Sequence, residues 1–114
     1  MKSPLKAKIF EIVNRIPLGK VAFYGQIAEL CVAENHPVRA QVVGWILSGM
    51  KSSELCETAW HRVVAKNGFV ASLKLGGKGL LQVALLESEK VEITKDFIDM
   101  SRFGMTLGDL TEKL

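Results

Sequence analysis

The chain has 114 residues, of which 48% are apolar and 24% charged, with a formal net charge of +3; this is one domain with a buried core and excludes a disordered or fibrous chain. No apolar run approaches the roughly 18 residues of a membrane span. Cys31 and Cys56 form no C-x-x-C pair and belong to no Cys/His ligand set, which excludes disulfide scaffolds and zinc fingers. Met1-Lys2-Ser3-Pro4 lacks the apolar run and cleavage site of a secretory signal, so a reducing cytoplasmic setting is expected. Charge is unevenly spread: residues 36–80 carry six basic and two acidic side chains, residues 81–114 four basic and seven acidic. A basic middle and an acidic tail permit a polyanion-binding face.

Ser3-Pro4 reads as an N-cap followed by proline at the first helical position. Leu5, Ile9, Ile12, Val13 and Ile16 recur at helical spacing, which predicts a helix over about 4–16, stopped by Pro17-Leu18-Gly19-Lys20. A second helix over about 24–33 turns Ile27, Ala28, Leu30 and Cys31 inward. After the polar loop Glu34–Pro37, a third helix over about 38–50 buries Val42, Val43, Ile46 and Leu47. Two helices joined by a loop, the second in a basic segment, make a helix-turn-helix candidate. Ser52–Thr58 reads as polar loop. His61–Ala65 and Phe69–Leu73 read as strands of a hairpin around Asn67-Gly68, a strong turn signal. Leu75–Gly79 reads as a connector, and a helix over about 80–89 places Leu81, Ala84, Leu85 and Ser88 along one side. The tail after Val91 is amphipathic but irregular. The expected fold is α+β: a small, mostly helical domain over 1–114 with a winged-helix-like helix-turn-helix and a β-hairpin wing.

The segment Ile16-Pro17-Leu18-Gly19-Lys20-Val21-Ala22-Phe23-Tyr24-Gly25-Gln26-Ile27-Ala28 resembles the DNA-binding domain of O6-alkylguanine-DNA alkyltransferases. Pro37-Val38-Arg39-Ala40-Gln41-Val42-Val43-Gly44, Ala59-Trp60-His61-Arg62-Val63-Val64, Asn67-Gly68 and Leu85-Leu86-Glu87-Ser88-Glu89 follow in the family's order. The resemblance covers about 5–92 and does not include the family's separate N-terminal domain. The enzymes carry Pro-Cys-His-Arg, whose thiolate takes the alkyl group; this chain reads Ala59-Trp60-His61-Arg62. Indole offers one N–H donor and no lone pair to attack carbon, so Trp60 cannot accept an alkyl group. Trp in this slot is similar to the alkyltransferase-like proteins, non-enzymatic sensors that bind O6-alkylguanine in duplex DNA and mark it for nucleotide excision repair.

The resemblance implies a role for each matching residue. Tyr24 would push the phosphate beside the target nucleotide, because a sensor reaching O6 must rotate the base out of the stack. Arg39, Ala40, Gln41 and Gly44 would lie on the DNA. Gln41 stands where the family inserts an Arg finger, and brings hydrogen bonds without a charge. Arg39, about 200° around the helix from Gln41, would meet a phosphate instead. Trp60, His61, Val63, Leu73, Lys74 and Glu89 would line the lesion pocket, Leu73 departing from the Arg or Tyr of related sensors. His61 and Glu89 match the family's general base and its orienter, which have no thiol to act on here. Arg62, Asn67 and Gly68 would be structural. No metal, cofactor or membrane is implied; the expected partners are lesion-bearing duplex DNA and nucleotide excision repair proteins, with the chain a monomer. Two rivals remain: an active methyltransferase using another cysteine, Cys56, although that residue does not sit beside the His, or a general winged-helix DNA-binding module. Cys31 reads as a small buried apolar residue.

Overall fold

Helix α1 (Pro4–Val13) opens at the proline and buries Ile9, Ile12 and Val13 completely; the structure, a computed structural model, describes residues 4–70, 77–106 and 108–109. Ser3 therefore lies outside the described residues. The helix ends three residues before the predicted stop. Arg15 N–H then bonds the Ile12 carbonyl at 3.0 Å and Ile16 N–H that of Val13 at 3.1 Å. These tightened turns keep Ile16 in the core (1% exposed) while freeing it to precede Pro17.

Strand β1 (Ala22–Phe23) leads directly into α2 (Tyr24–Ala33). At the head of α2 the Gln26 side-chain oxygen accepts from Phe23 N–H at 2.9 Å, and its amide donates to the Met105 carbonyl. Its far end closes as a Schellman motif: Asn35 takes φ 68°, Asn35 N–H bonds Val32 at 3.1 Å and His36 N–H bonds Cys31 at 2.7 Å. Pro37 follows, and α3 (Ala40–Ser48) packs back on α2. This is the expected helix-turn-helix. Val43 and Leu47 are buried, and Val42 and Ile46 half-buried. The expected third helix starts two residues late, because Arg39 is its extended N-cap (φ −97°, ψ 154°).

Residues 52–57 are a helix, α4 (Ser52–Glu57), not the predicted loop; Glu54 accepts from Lys51 N–H at 2.9 Å and from Lys6 of α1 at 2.8 Å. A short 3-10 turn, Trp60–Arg62, then enters β2 (Val63–Val64). The main correction concerns the partner of the first predicted hairpin strand. Val63 and Val64 are both buried, so this strand belongs inside, and it pairs parallel with β1 in the register Ala22↔Val63, Phe23↔Val64. The Asn67-Gly68 turn does form, with Gly68 N–H on Ala65 at 2.9 Å and Ala65 N–H on Phe69 at 3.0 Å. Beyond it the chain departs to a different partner, for Phe69 bridges Phe97. Gly68 is required there: it has φ +92°, and a Cβ would sit 2.1 Å from the Ile98 carbonyl oxygen.

Helix α5 (Gly77–Ser88) begins inside the predicted connector. Its buried stripe is Gly79, Gln82 and Leu86, whereas Leu81, Ala84 and Ser88 of the expected stripe are exposed. The tail is ordered as β3 (Ile93–Thr94), β4 (Phe97–Ile98) and α6 (Met100–Phe103). Strands β3 and β4 form an antiparallel hairpin through Lys95 and Asp96, both at positive φ (50° and 69°), as a primed turn requires. The tail is stitched to Val21, just before β1, by Val21 N–H on Phe103 at 2.8 Å and Met105 N–H on Val21 at 2.9 Å.

The central parallel pair separates two apolar clusters. Ala22 and Val63 face the cluster built from α1, α2, α3 and Trp60; Val21 and Val64 face that of Val70, Leu86, Val91 and Ile98. Alternation along each strand sends neighbours to opposite sides. The molecule is thus the expected mostly helical α+β fold; among the described residues the antiparallel strand pair is at 93–98, and residues 71–73 of the expected second strand lie outside the described residues.

Candidate functional site

Glu89, the residue after α5, gathers four donors. His61 Nε2 lies 2.7 Å from Oε2, Arg62 Nη2 2.9 Å from Oε2, Arg62 Nε 2.9 Å from Oε1, and the Gly19 N–H 3.2 Å from Oε1. Arg62 also donates from Nη1 to the Ile16 carbonyl at 2.7 Å, in the turn that follows the first helix. Glu89 and His61 side chains are 9% and 11% exposed. Burial pushes the Glu89 carboxyl up, but the hydrogen bonds from Arg62, His61 and Gly19 outweigh it and bring the group down to about 2. A carboxylate held ionised accepts only, so the His61 Nε2 that faces it donates.

The turn bearing Trp60 and His61 is held by two amides that the sequence analysis did not single out. Asn14 Oδ1 accepts from Ala59 N–H at 2.8 Å, and Gln82 Nε2 donates to the carbonyls of His61 and Val63, each at 3.0 Å. Gln82 is 2% exposed. It lies on the buried stripe Gly79, Gln82, Leu86, whose single large apolar side chain gives no periodic signal. Trp60 is 4% exposed and meets His61 edge-on at 6.2 Å and 82°. Trp60, His61, Val63 and Glu89 are therefore brought together, whereas Leu73 and Lys74 lie outside the described residues. Asn67 accepts from Phe69 N–H at 3.1 Å in its turn.

A second group occupies the helix-turn-helix. Tyr24 opens α2, half-buried, with its ring over Gly44 of α3, where a Cβ would rest 3.9 Å from Cδ1. Burial raises its phenol pKa. Arg39, Ala40 and Gln41 are all exposed at the start of α3. Because Arg39 is the N-cap, the helical offset of about 200° expected between it and Gln41 does not apply. Cys31 is fully buried, and burial together with the Glu34 charge pushes its thiol up to about 11. That leaves essentially no thiolate at neutral pH. Among the described residues no group of three or more His, Cys, Asp or Glu could hold a metal, and no helix is long and apolar enough to cross a membrane.

Glu34 is the second strongly ionised carboxyl. It accepts from Arg15 at 2.8 and 3.0 Å and from Lys8 at 3.1 Å, and these bonds, Arg15 first, hold it at about 2. For Glu34 and Glu89 the folded value lies below the ordinary 4.5, so the unfolded chain takes up each proton first. Their stabilisation is full above pH about 4.5 and is lost as pH falls toward 2. Melting temperature is expected to be level from pH 7 to 5 and to drop steeply from 4.5 to 2; a level profile throughout would contradict the two networks.

A mostly helical α+β domain with a helix-turn-helix and a part-buried His–Glu–Arg cluster defines a recognisable class. The family described as "6-O-methylguanine DNA methyltransferase, DNA binding domain" matches residues 4–91, and the chain belongs to this family, on its alkyltransferase-like branch. The "DNA base-flipping protein" of Vibrio parahaemolyticus is 32% identical over 89 residues, covering 77% of this chain and 81% of that one. "Alkyltransferase-like protein 1" of Schizosaccharomyces pombe is 31% identical over 86 residues, 75% of each chain. The crystal structure of S. pombe Atl1 in complex with damaged DNA containing O6-carboxymethylguanine superposes with TM-score 0.78 at 25% identity, over 93% of this chain and 99% of that one. A "Methylated-DNA--protein-cysteine methyltransferase" of Saccharolobus islandicus is 39% identical over 90 residues, covering 79% of this chain but 53% of the enzyme.

Proposed function

We propose that this protein is a non-enzymatic sensor of O6-alkylguanine in duplex DNA, which rotates the damaged base into a pocket at Trp60 and presents the bound lesion to nucleotide excision repair. The observation that carries the reading is an ordered His61–Glu89 pair, 2.7 Å apart, directly beside a tryptophan. Such a pair could draw a proton from an adjacent thiol, yet the adjacent side chain offers only an N–H donor. The lesion is bound and not repaired. Tyr24, Arg39, Ala40, Gln41 and Gly44 form the DNA face: Tyr24 displaces the phosphate, Arg39 meets another, and Gln41 fills the vacated stack. His61, Val63, Leu73, Lys74 and Glu89 complete the pocket around Trp60, while Arg62, Asn67 and Gly68 maintain its frame. The protein acts as a monomer, without metal or cofactor.

Relatives whose names and structures concern base flipping and damaged DNA support the binding half of this reading. The buried, protonated Cys31 thiol supports the non-enzymatic half. The test is intact-protein mass spectrometry after incubation with O6-methylguanine duplex. The mass is expected to stay unchanged while the lesion persists in the recovered DNA. A methyl adduct on Cys56 or Cys31 would overturn the proposal in favour of an enzyme.

A further inference from the structure

Trp45 is 63% exposed on the outer face of α3. A side chain of this size gains most from burial, so an indole left in water on an ordered helix is unusual. It lies one turn after Gln41 and one before Ser48, and the i, i+4, i+7 spacing sets all three along one exposed stripe. Its backbone is ordinary, the carbonyl accepting from Gly49 N–H at 3.1 Å and from Ser48 Oγ at 3.0 Å. Residues 38–51 include Arg39 and Lys51, both exposed, and no acidic side chain. A polyanion is the occupant that this charge fits, and an exposed flat apolar ring on a basic segment is how proteins stack on bases.

We infer that Trp45 is a base-stacking wedge of the DNA-binding face, supplying beside Gln41 the apolar surface that a neutral, shorter Gln41 side chain lacks. The inference rests on the proposed DNA-binding role and deepens it. The indole inserts against the exposed edge of a base step, where an apolar wedge helps unstack the duplex and hold it bent. Since every base presents a π face, this contact is indifferent to the lesion. It neutralises no phosphate, so it adds nothing to the salt dependence.

The experiment compares the full chain with Trp45→Ala and Trp45→Phe, using fluorescence anisotropy of labelled O6-methylguanine and guanine duplexes across a salt series. Trp45→Ala is expected to weaken both duplexes about tenfold at each salt concentration, with unchanged slope, and Trp45→Phe to recover most of the loss. Acrylamide quenching of the exposed indole is expected to fall when the parent protein is saturated with DNA. Circular dichroism identical to the parent excludes misfolding of a variant altered at so exposed a position. Affinity of Trp45→Ala within about twofold of the parent, or tighter, overturns the inference and leaves the face to a protein partner. A parent that does not discriminate the two duplexes, while Trp45→Ala still weakens both, overturns the sensor reading and sustains the wedge. A parent that binds neither duplex overturns both.

Discussion

Glu89→Gln is expected to lower the unfolding free energy by about 3 kcal/mol at pH 7, the usual loss when one partner of a buried ion pair is removed. The amide is isosteric but neutral. Its nitrogen donates and cannot accept, so at least one of the donors on His61, Arg62 and Gly19 is left facing another donor. The Arg62 charge, 16% exposed, loses its counter-ion in a place that water reaches poorly. The loss spreads, because Arg62 also holds the Ile16 carbonyl and thereby ties the turn after the first helix to the 3-10 turn. Glu92→Gln is the control: its pair with Arg102 is exposed at 67% and 55%, and little change is expected. Urea denaturation of the two variants measures the difference. Equal, small effects would mean that Glu89 is not the centre of the cluster.

Tyr24→Ala is expected to weaken binding to a paired O6-methylguanine by roughly 10- to 100-fold and to a single-stranded one only slightly. Rotating a stacked base out of a duplex costs a few kcal/mol, a cost absent when the base is already unpaired. Tyr24 suits the task because its ring is held over Gly44, at the junction of the two helices, with its backbone fixed by the start of α2. Gln41→Arg is the complementary change, expected to tighten duplex binding by adding stacking area and a charge drawn to the groove. Parallel titrations on paired and single-stranded lesions check both variants. If Tyr24→Ala weakens the two substrates equally, the residue takes no part in flipping.

The first three helices were legible because their apolar residues repeat at 3.6 and their ends carry proline, glycine or a polar loop. Ile9, Ile12, Val13, Ile27, Cys31, Val43 and Leu47 are all buried as that periodicity requires. Val63-Val64 defeated the same reading, since a two-residue strand shows no alternation and its partner, Ala22-Phe23, lies some forty residues away. Asn67-Gly68 did make its turn, but local turn chemistry does not specify what the emerging strand will pair with. The hairpin turn of β3 and β4, Lys95-Asp96, puts two residues at positive φ that carry no glycine signal. In α5, Gln82 is buried by the carbonyls it satisfies, a gain invisible to an apolar-residue pattern. The His61–Glu89 pair, 28 residues apart, emerged from motif order and not from spacing, because only tertiary packing brings the two ends to 2.7 Å. Trp45 lies outside the inward stripe of α3, and helical periodicity gives an outward-facing indole no role of its own.

The central claim is that the fold selects an alkylated guanine without changing it. Competition binding at fixed salt tests this most directly, with O6-methylguanine and guanine duplexes of otherwise identical sequence displacing a labelled lesion duplex. Fixed salt matters because phosphate contacts add equally to both affinities and change steeply with ionic strength. The lesion duplex is expected to compete at least about tenfold better, a difference of about 1.4 kcal/mol that only base recognition can supply. Equal competition by the two duplexes would contradict a lesion sensor and leave a general DNA-binding module.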